Sequence, residues 1–250
     1  QSGSWTSEGK LDMPVSSAVS DPQNRMLYIS GTAEDEYAMH QVDPATGKVL
    51  ATAPTNLGVP LWDMAFCELY STEEKPLVLG IYGSTLTAPM DPMHLEPITL
   101  DASIMLQPTG ASYFAAITSG GAHEYQTQGG TKTEANLFYL MDDMGSIWWA
   151  WLYKRFNFGD YSDYAFDWIQ KPTDLNDLGL NIQDNLVNSS LWADQKTGHL
   201  YLSTWNGNTS QIYRLIYDPV SESYQGTLLG DMGDGVGPAA LYGGESYGTA

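Results

Sequence analysis

This chain of 250 residues has little cysteine, little positive charge and no long apolar run. Its one cysteine, Cys67, cannot form an intramolecular disulfide or a site built from several thiolates. Only 10 basic residues stand against 30 acidic ones, for a formal net charge of −20. Nucleic acids and anionic membranes are bound through lysine and arginine, so we expect neither as a partner. A membrane helix needs about 18 to 20 apolar residues, and the apolar stretch 145–153 is shorter, so no membrane insertion is expected.

What the chain does contain favours a folded, all-β protein. Hydrophobic residues make up 42% of it, which is enough to build a packed core despite the net charge. The 12% of aromatic residues, with 25 glycines and 13 prolines, favour strands and turns over helix bundles. Few lysines among many Ser, Thr, Asn and Tyr residues are common in exported proteins, so we expect a secreted or cell-surface location.

The two ends of the chain carry the same local pattern. Residues 21–30 align with residues 194–203, with Asp, Leu, Tyr and Ser coinciding at a constant offset of 173. Each segment reads as a turn and a strand, and each is followed by a second strand that ends in Asp-Pro. Aspartate that bonds its own backbone and proline that presets φ favour tight hairpin turns. Six aspartates are therefore interpreted as turn residues: Asp21, Asp43, Asp91, Asp142, Asp194 and Asp218.

A strand of small residues opens each predicted unit. Three of the four steps between units match the roughly 40 to 50 residues of a propeller blade. We therefore predict a β-propeller of about five blades, each a four-stranded antiparallel sheet; the alternative is a β-sandwich or two small β-domains. The marker positions are Ala18, Ala65, Ala115, Trp192 and Ala240, at steps of 47, 50, 77 and 48 residues.

The predicted organisation is one propeller domain over residues 13–250. Residues 1–12 are a linker or a strand that closes the ring, and the long step of 77 residues predicts an insertion at about 156–188. Because residues 1–4 look like linker, we expect a piece of a longer chain that is flanked by other domains.

The blade motifs resemble those of secreted and cell-surface β-propeller repeat proteins of bacteria. The motifs are Leu-Tyr-x-Ser after an Asp-containing turn, and Asp-Pro-x-Thr-Gly at the end of a later strand. The resemblance covers most of residues 15–242 and implies the fold and export, but no catalytic residue. The sequence departs from the pattern at 108–132 and 156–188, where we expect features individual to this protein.

An aromatic and acidic segment, 156–168, is the candidate binding site. As a loop on one face of a propeller, it would stack a sugar or a peptide on its rings and accept hydrogen bonds at its carboxylates. The alternative is that its rings pin a long loop to the body of the protein. The candidate ligand-binding residues are Asp160, Tyr161, Asp163, Tyr164, Asp167 and Trp168.

A second acidic segment resembles the start of a calcium loop. Asp174, Asn176 and Asp177 precede a glycine at the sixth position, but Leu178 at the fifth and Asn185 at the twelfth depart from an EF-hand. The sequence therefore implies no cofactor, with calcium held in another geometry as the one alternative.

Catalytic motifs are scarce. The chain has no G-x-S-x-G nucleophile elbow and no P-loop. Glycoside hydrolysis needs two carboxylates, and the marker strands offer Asp63 alone, with Glu68 just after it. We therefore expect a non-catalytic extracellular module that binds a protein or a glycan through face loops. The alternative is a secreted carbohydrate-active enzyme with a propeller core.

Overall fold

The computed structural model describes residues 15–33, 36–55, 60–82, 85–87, 90–93, 113–156, 162–171, 189–205 and 208–233. These residues form 15 strands and no helix, which confirms the all-β prediction. None of them belongs to a helix that could cross a membrane. The described strands lie in four antiparallel sheets, and each strand pairs with its neighbours in sequence.

The first sheet has four strands and the second has three. Their strands are β1 (Val15–Asp21), β2 (Met26–Ala33), β3 (Glu36–Asp43) and β4 (Lys48–Pro54), then β5 (Asp63–Phe66), β6 (Val78–Tyr82) and β7 (Thr85–Leu86). The third and fourth sheets have four strands each. They are β8 (Phe114–Gln126), β9 (Lys132–Asp142), β10 (Ile147–Phe156) and β11 (Ser162–Lys171), then β12 (Ser190–Ala193), β13 (Leu200–Trp205), β14 (Ser210–Asp218) and β15 (Ser223–Asp231).

The first strand of each sheet lies where a small-residue marker predicted it. Strands β1, β5, β8 and β12 contain Ala18, Ala65, Ala115 and Trp192. The spacing of the markers is thus the distance along the chain from one sheet to the next. The fifth marker, Ala240, and residues 1–12, predicted to be a linker or a strand that closes the ring, lie outside the described residues.

The sheets pack face to face in chain order, with hydrophobic clusters between them. Tyr28 and Met39 of the first sheet pack against the second sheet. The second sheet also packs against Phe138 and Leu140 of the third sheet, whose opposite face packs against the fourth. Because both faces of the third sheet are covered, strand β9 is apolar over most of its length instead of alternating. In a two-sheet sandwich, by contrast, each sheet has one solvated face.

The first strands of neighbouring sheets lie side by side, and β1 and β5 run in the same direction. The Ser17 hydroxyl, early in β1, donates to the carbonyl of Leu61 just before β5, at 3.0 Å. The side-chain amide of Gln23, just after β1, donates to the backbone carbonyl of Glu68, just after β5, at 3.4 Å. Contacts continue from β5 to β8 and from β8 to β12.

Aspartates form the turns, as predicted. In six turns the carboxylate accepts a hydrogen bond of 2.8–3.0 Å from the backbone N–H two residues later. This geometry turns the chain without help from distant residues. The six are Asp21, Asp43, Asp91, Asp142, Asp194 and Asp218.

The third sheet corrects one prediction. The segment expected to be a loop is a strand over Ser162–Lys171, which pairs with β10 over all ten residues. The alternation of rings and carboxylates is therefore the period-two pattern of a strand whose two faces meet different surroundings. The remainder of the predicted insertion, residues 157–161 and 172–188, lies outside the described residues.

Candidate functional site

The third sheet is longer than the sheet that packs against it. Strands β8 and β9 have 13 and 11 residues, whereas β12 and β13 have 4 and 6. On the face turned toward the fourth sheet, β10 presents Trp149, Trp151 and Tyr153 at alternate positions. The Trp149 ring contacts Tyr217 of the fourth sheet, with centroids 4.8 Å apart. The aromatic row continues past this contact, and Trp151 remains partly exposed.

Five side chains form one cluster of contacts here, which we call the Trp151 patch: His123, Tyr125, Trp151, Tyr153 and Asp167. The rings of Tyr125 and Trp151 stack, with centroids 4.7 Å apart and planes 13° apart. The Tyr153 ring lies 5.9 Å from Tyr125. The His123 ring meets Trp151 nearly edge-on at 6.0 Å. Tyr125, Trp151 and Asp167 keep part of their surface in solvent, whereas His123 is exposed and Tyr153 is buried.

Two alanines let these rings pack closely on the sheet. Ala135 and Ala165 flank Tyr153 on the neighbouring strands, and both are fully buried in one cluster with it. A larger side chain at either position would compete with the Tyr153 ring for the same space. The patch is therefore supported by strands rather than by a loop, and the strands hold its rings in fixed positions.

Asp167 supplies the carboxylate of the patch. It is the cross-strand neighbour of Trp151. Its Oδ2 atom accepts hydrogen bonds from the Tyr125 hydroxyl at 2.9 Å and from the backbone N–H of Gln128 at 3.3 Å. Burial, and then the bond to Asp167, raises the pKa of Tyr125, so this phenol stays protonated and donates. Within the described part of the chain Oδ1 has no hydrogen-bond partner, so it can accept a bond from a ligand.

The structure does not bring the other predicted ligand residues to this patch. Tyr164 and Trp168 face the second sheet, because alternate residues of β11 point to opposite faces. Tyr164 is buried, and its ring meets Tyr70 edge-on at 5.2 Å. The Lys154 ammonium lies 5.2 Å from the Tyr70 ring centre and 5.4 Å from that of Tyr164. These contacts favour the packing interpretation for Tyr164.

The remaining predicted residues receive no side-chain description. Asp163 lies in β11, where its backbone is opposite Arg155. Asp160 and Tyr161 lie outside the described residues, as do Asp174, Asn176 and Asp177 of the calcium alternative. Among the residues that are described, no three His, Cys, Asp or Glu side chains are grouped to hold a metal ion.

Asp63 is the carboxyl group that the enzyme alternative would use. It opens β5, and its two oxygens accept hydrogen bonds of 2.9 Å from the backbone N–H groups of Met64 and Ile117. Desolvation outweighs these bonds and raises the pKa of Asp63 to about 7. The group therefore exchanges its proton near neutral pH, although it is held by backbone donors on both sides.

The Glu68 carboxylate, unlike that of Asp63, accepts its hydrogen bonds from side chains. Its carboxylate accepts hydrogen bonds from the Ser119 hydroxyl of the third sheet and from the Gln195 amide of the fourth, the latter at 3.0 Å. Its backbone carbonyl also accepts the bond from Gln23 of the first sheet. Glu68 thus connects all four described sheets, and both of its carboxylate oxygens are already in use. The neighbouring Cys67 is fully buried, and burial raises the pKa of its thiol to about 12.

Sequence reasoning found Asp167 but missed the rings beside it. The signal was present in β10, where aromatic residues recur at every second position from 149 to 153. Tyr125 is 42 residues from Asp167 in the chain, so their contact appears only once the order of β8 to β11 is known.

No protein-family model matches this chain, and no curated protein matches it.

Proposed function

We propose that this protein is a non-catalytic, extracellular β-propeller module that binds a neutral glycan on the Trp151 patch. The propeller is supported by the way the sheets follow one another. Each described sheet packs its face on the next in chain order, and the first strands are neighbours. Asp63 accepts a hydrogen bond from Ile117, and Glu68 accepts one from Ser119. Residues near β5 therefore contact β8 in the same order along the two segments. Blades arranged about an axis produce this pattern, with small residues where they converge.

The single observation that carries the binding role is the stacked pair of Tyr125 and Trp151, with the open oxygen of Asp167 beside it. Aromatic rings join a large apolar face to a polar edge, which suits ligands that have both kinds of surface. A sugar ring is such a ligand: its C–H face packs on an aromatic ring and its hydroxyls bond to a carboxylate. Asp167 would repel an acidic sugar, and the net charge of −20 adds to that repulsion. The ligand of this patch is therefore a neutral sugar.

The experiment is a glycan array that contains neutral and acidic oligosaccharides, followed by calorimetric titration of the neutral glycans that bind. Trp151→Ala removes the stacking surface, and Asp167→Asn removes the charge while keeping an oxygen for the Tyr125 hydroxyl. Each variant should weaken binding by about tenfold, the equivalent of about 1.4 kcal/mol. Trp62→Ala is the matched control, because Trp62 is 45% exposed and lies outside the patch.

Equal affinity of wild type, Trp151→Ala and Asp167→Asn for the same neutral glycan would remove the patch as the binding site. An array on which no neutral glycan binds would reject the glycan assignment itself, and a binding partner protein would then take its place.

The enzyme alternative has one observation in its favour. A carboxyl group with a pKa near 7 can serve as a general acid, and Asp63 is such a group. Both of its oxygens accept backbone hydrogen bonds, however, and Glu68, the nearest predicted partner in sequence, is occupied by side chains of two other sheets. Release of reducing sugar from a polysaccharide by the wild type, abolished in Asp63→Asn, would replace the proposed function with this one.

A further inference from the structure

A cleft lies between the first and second sheets and is open to solvent. Its volume is about 570 Å³, within the range of about 300–1,000 Å³ that small-molecule sites occupy. The first sheet contributes the fully buried Tyr28 of β2, Gln41 of β3, and the half-buried Ala51 and Ala53 of β4. The second sheet contributes residues between β5 and β6 and residues just after β7. Every lining residue belongs to the described part of the chain.

Carboxylates distinguish this cleft from the rest of the surface. Glu73 and Glu74, between β5 and β6, line it together with Asp91, which follows β7. None of the described lining residues is basic. Glu73 and Glu74 are exposed, and neither carboxylate forms an ion pair or a hydrogen bond with a described residue. Two negative charges therefore line the cleft without a counter-charge from the described chain.

The basic residues nearest in sequence do not supply that counter-charge. Arg25 follows a lining residue, Asn24, and Lys75 follows Glu74, but neither basic side chain lines the cleft. Both are exposed, and neither forms an ion pair within the described chain. The carboxylates thus remain accessible to a cation from solution.

The pKa of Tyr28 reflects the charges around the cleft in part. Burial, and then the charge of Asp21, raise this pKa to about 12, and Asp91 adds to the rise. A negative potential that keeps a proton on a phenol also attracts a positive ligand. The net charge of −20 acts in the same direction over the whole surface.

Apolar side chains line much of the remaining surface of the cleft. Met26 on β2 and Met93 after β7 are partly exposed, and methionine adapts its shape to the group that packs on it. Ala51 and Ala53 leave room that larger side chains would fill. A ligand that matches both kinds of surface carries positive charge on an aliphatic chain.

We propose that this cleft binds an aliphatic polyamine, with ammonium groups on Glu73 and Glu74 and the methylene chain along Met26 and Met93. A ligand with several ammonium groups satisfies more of the lining carboxylates than a single charge does. A lysine-rich peptide has the same groups, but its backbone N–H and C=O groups would lose water against methionine and alanine side chains without gaining partners. The site lies between the first two sheets and does not depend on the Trp151 patch of the third.

The test is calorimetric titration of the whole chain with spermidine in about 0.15 M salt, where charges more than about 8 Å away are largely screened. Wild type should bind spermidine but not an uncharged octanediol of similar length. Glu73→Gln combined with Glu74→Gln should weaken binding by about tenfold, since two exposed ion pairs are lost. Glu36→Gln combined with Glu222→Gln is the control, because it removes the same charge from two exposed residues outside the cleft.

A further variant tests the space in the cleft rather than its charge. Ala51→Leu places a larger side chain in the cleft and should weaken spermidine binding at an unchanged net charge. Ala122→Leu, at an exposed position of β8, is its control and should bind like wild type. Thermal unfolding separates a lost contact from a lost fold. Since the Glu73 and Glu74 carboxylates have no described partner, their double variant should unfold at the temperature of the wild type.

Equal spermidine binding by wild type and the Glu73 and Glu74 double variant would overturn the site. An equal loss in the Glu36 and Glu222 control would also overturn it, because binding would then follow the total charge. Tighter binding of a blocked trilysine, which carries the same charge as spermidine, would overturn the polyamine assignment in favour of a basic peptide. Trp151→Ala should leave spermidine binding unchanged, and a loss there would move the polyamine to the Trp151 patch.

Discussion

The indole N–H of Trp149 in the third sheet donates a hydrogen bond of 2.8 Å to the hydroxyl of Tyr224 in the fourth. Tyr224 is fully buried, and burial raises the pKa of its phenol well above its usual value. The bond therefore joins two sheets through a pair of neutral groups, in a region from which water is largely excluded.

Tyr224→Phe should destabilise the protein by about 1–2 kcal/mol, because the Trp149 donor loses its acceptor in a largely buried position. The measurement is the free energy of unfolding from a urea titration. Tyr37→Phe removes a hydroxyl from a residue that is 36% exposed and should change stability by less than about 0.5 kcal/mol. A Tyr224→Phe variant as stable as the wild type would show that this bond contributes nothing to the packing of the two sheets.

Asp142→Ala should be among the most damaging substitutions in the chain. The carboxylate of this fully buried residue accepts bonds from the indole of Trp148 at 2.8 Å and from the N–H groups of Met144 and Ser146. Removal of the carboxylate leaves these three donors without an acceptor and should lower the free energy of unfolding by about 3 kcal/mol or more.

The matched variant for this prediction is Asp194→Ala, at the same position of an exposed turn. There water can replace the carboxylate, so the loss should be clearly smaller. Equal losses of unfolding free energy at the two positions would show that burial does not increase the contribution of the Asp142 hydrogen bonds to stability.

Gly120→Ala should destabilise the third sheet by about 1–3 kcal/mol, as overpacked substitutions do. A Cβ atom at Gly120 would lie 2.6 Å from the Tyr139 ring and 3.1 Å from Leu137, and both of these side chains are buried. Gly230→Ala is the matched control, since a Cβ there meets nothing within 4 Å. Urea titration gives the free energy of unfolding of both variants. A Gly120→Ala variant as stable as Gly230→Ala would show that the space beside Gly120 can hold a Cβ atom.

Asp63 should make stability fall as pH rises from about 4 to about 7. Its pKa is about 7 in the folded protein against an ordinary value of 3.8, so the folded state holds the proton more tightly and deprotonation favours unfolding. Asp63→Asn removes the ionisable group and with it this pH dependence. The free energy of unfolding of the variant, relative to that of the wild type, should therefore rise by about 2 kcal/mol between pH 4 and pH 8. This figure is smaller than the full pKa difference would give, because the Asp63 side chain is partly exposed to solvent. Urea titrations across this range measure it, and a constant difference would contradict the raised pKa.

The turns and the first strands could be predicted because each depends on a few adjacent residues. Asp194 bonds to the N–H of Lys196 within its own turn, so the signal and the structure occupy the same short segment. The small residues of β12 mark a first strand in the same local way. Neither prediction needed to know which sheet would lie next to which.

The Trp151 patch could not be predicted in that way. Tyr164 and Asp167 belong to one strand but face different sheets, and the alternation alone does not say which face is covered. Whether Trp151 is exposed depends on the fourth sheet being shorter than the third, and that sheet is built from residues 190–231. The composition of 156–168 was informative, but the side chains that complete the patch come from β8 and β10.

Within every described sheet, each strand pairs with the strand before it or after it in the chain. The contacts that build one sheet are therefore short in sequence, and loops of this size close quickly and with little entropy loss. A ribosome synthesising this chain would release the first sheet complete before the residues of the second had emerged. Folding can then proceed one sheet at a time from the amino terminus, each new sheet docking on a face that is already formed.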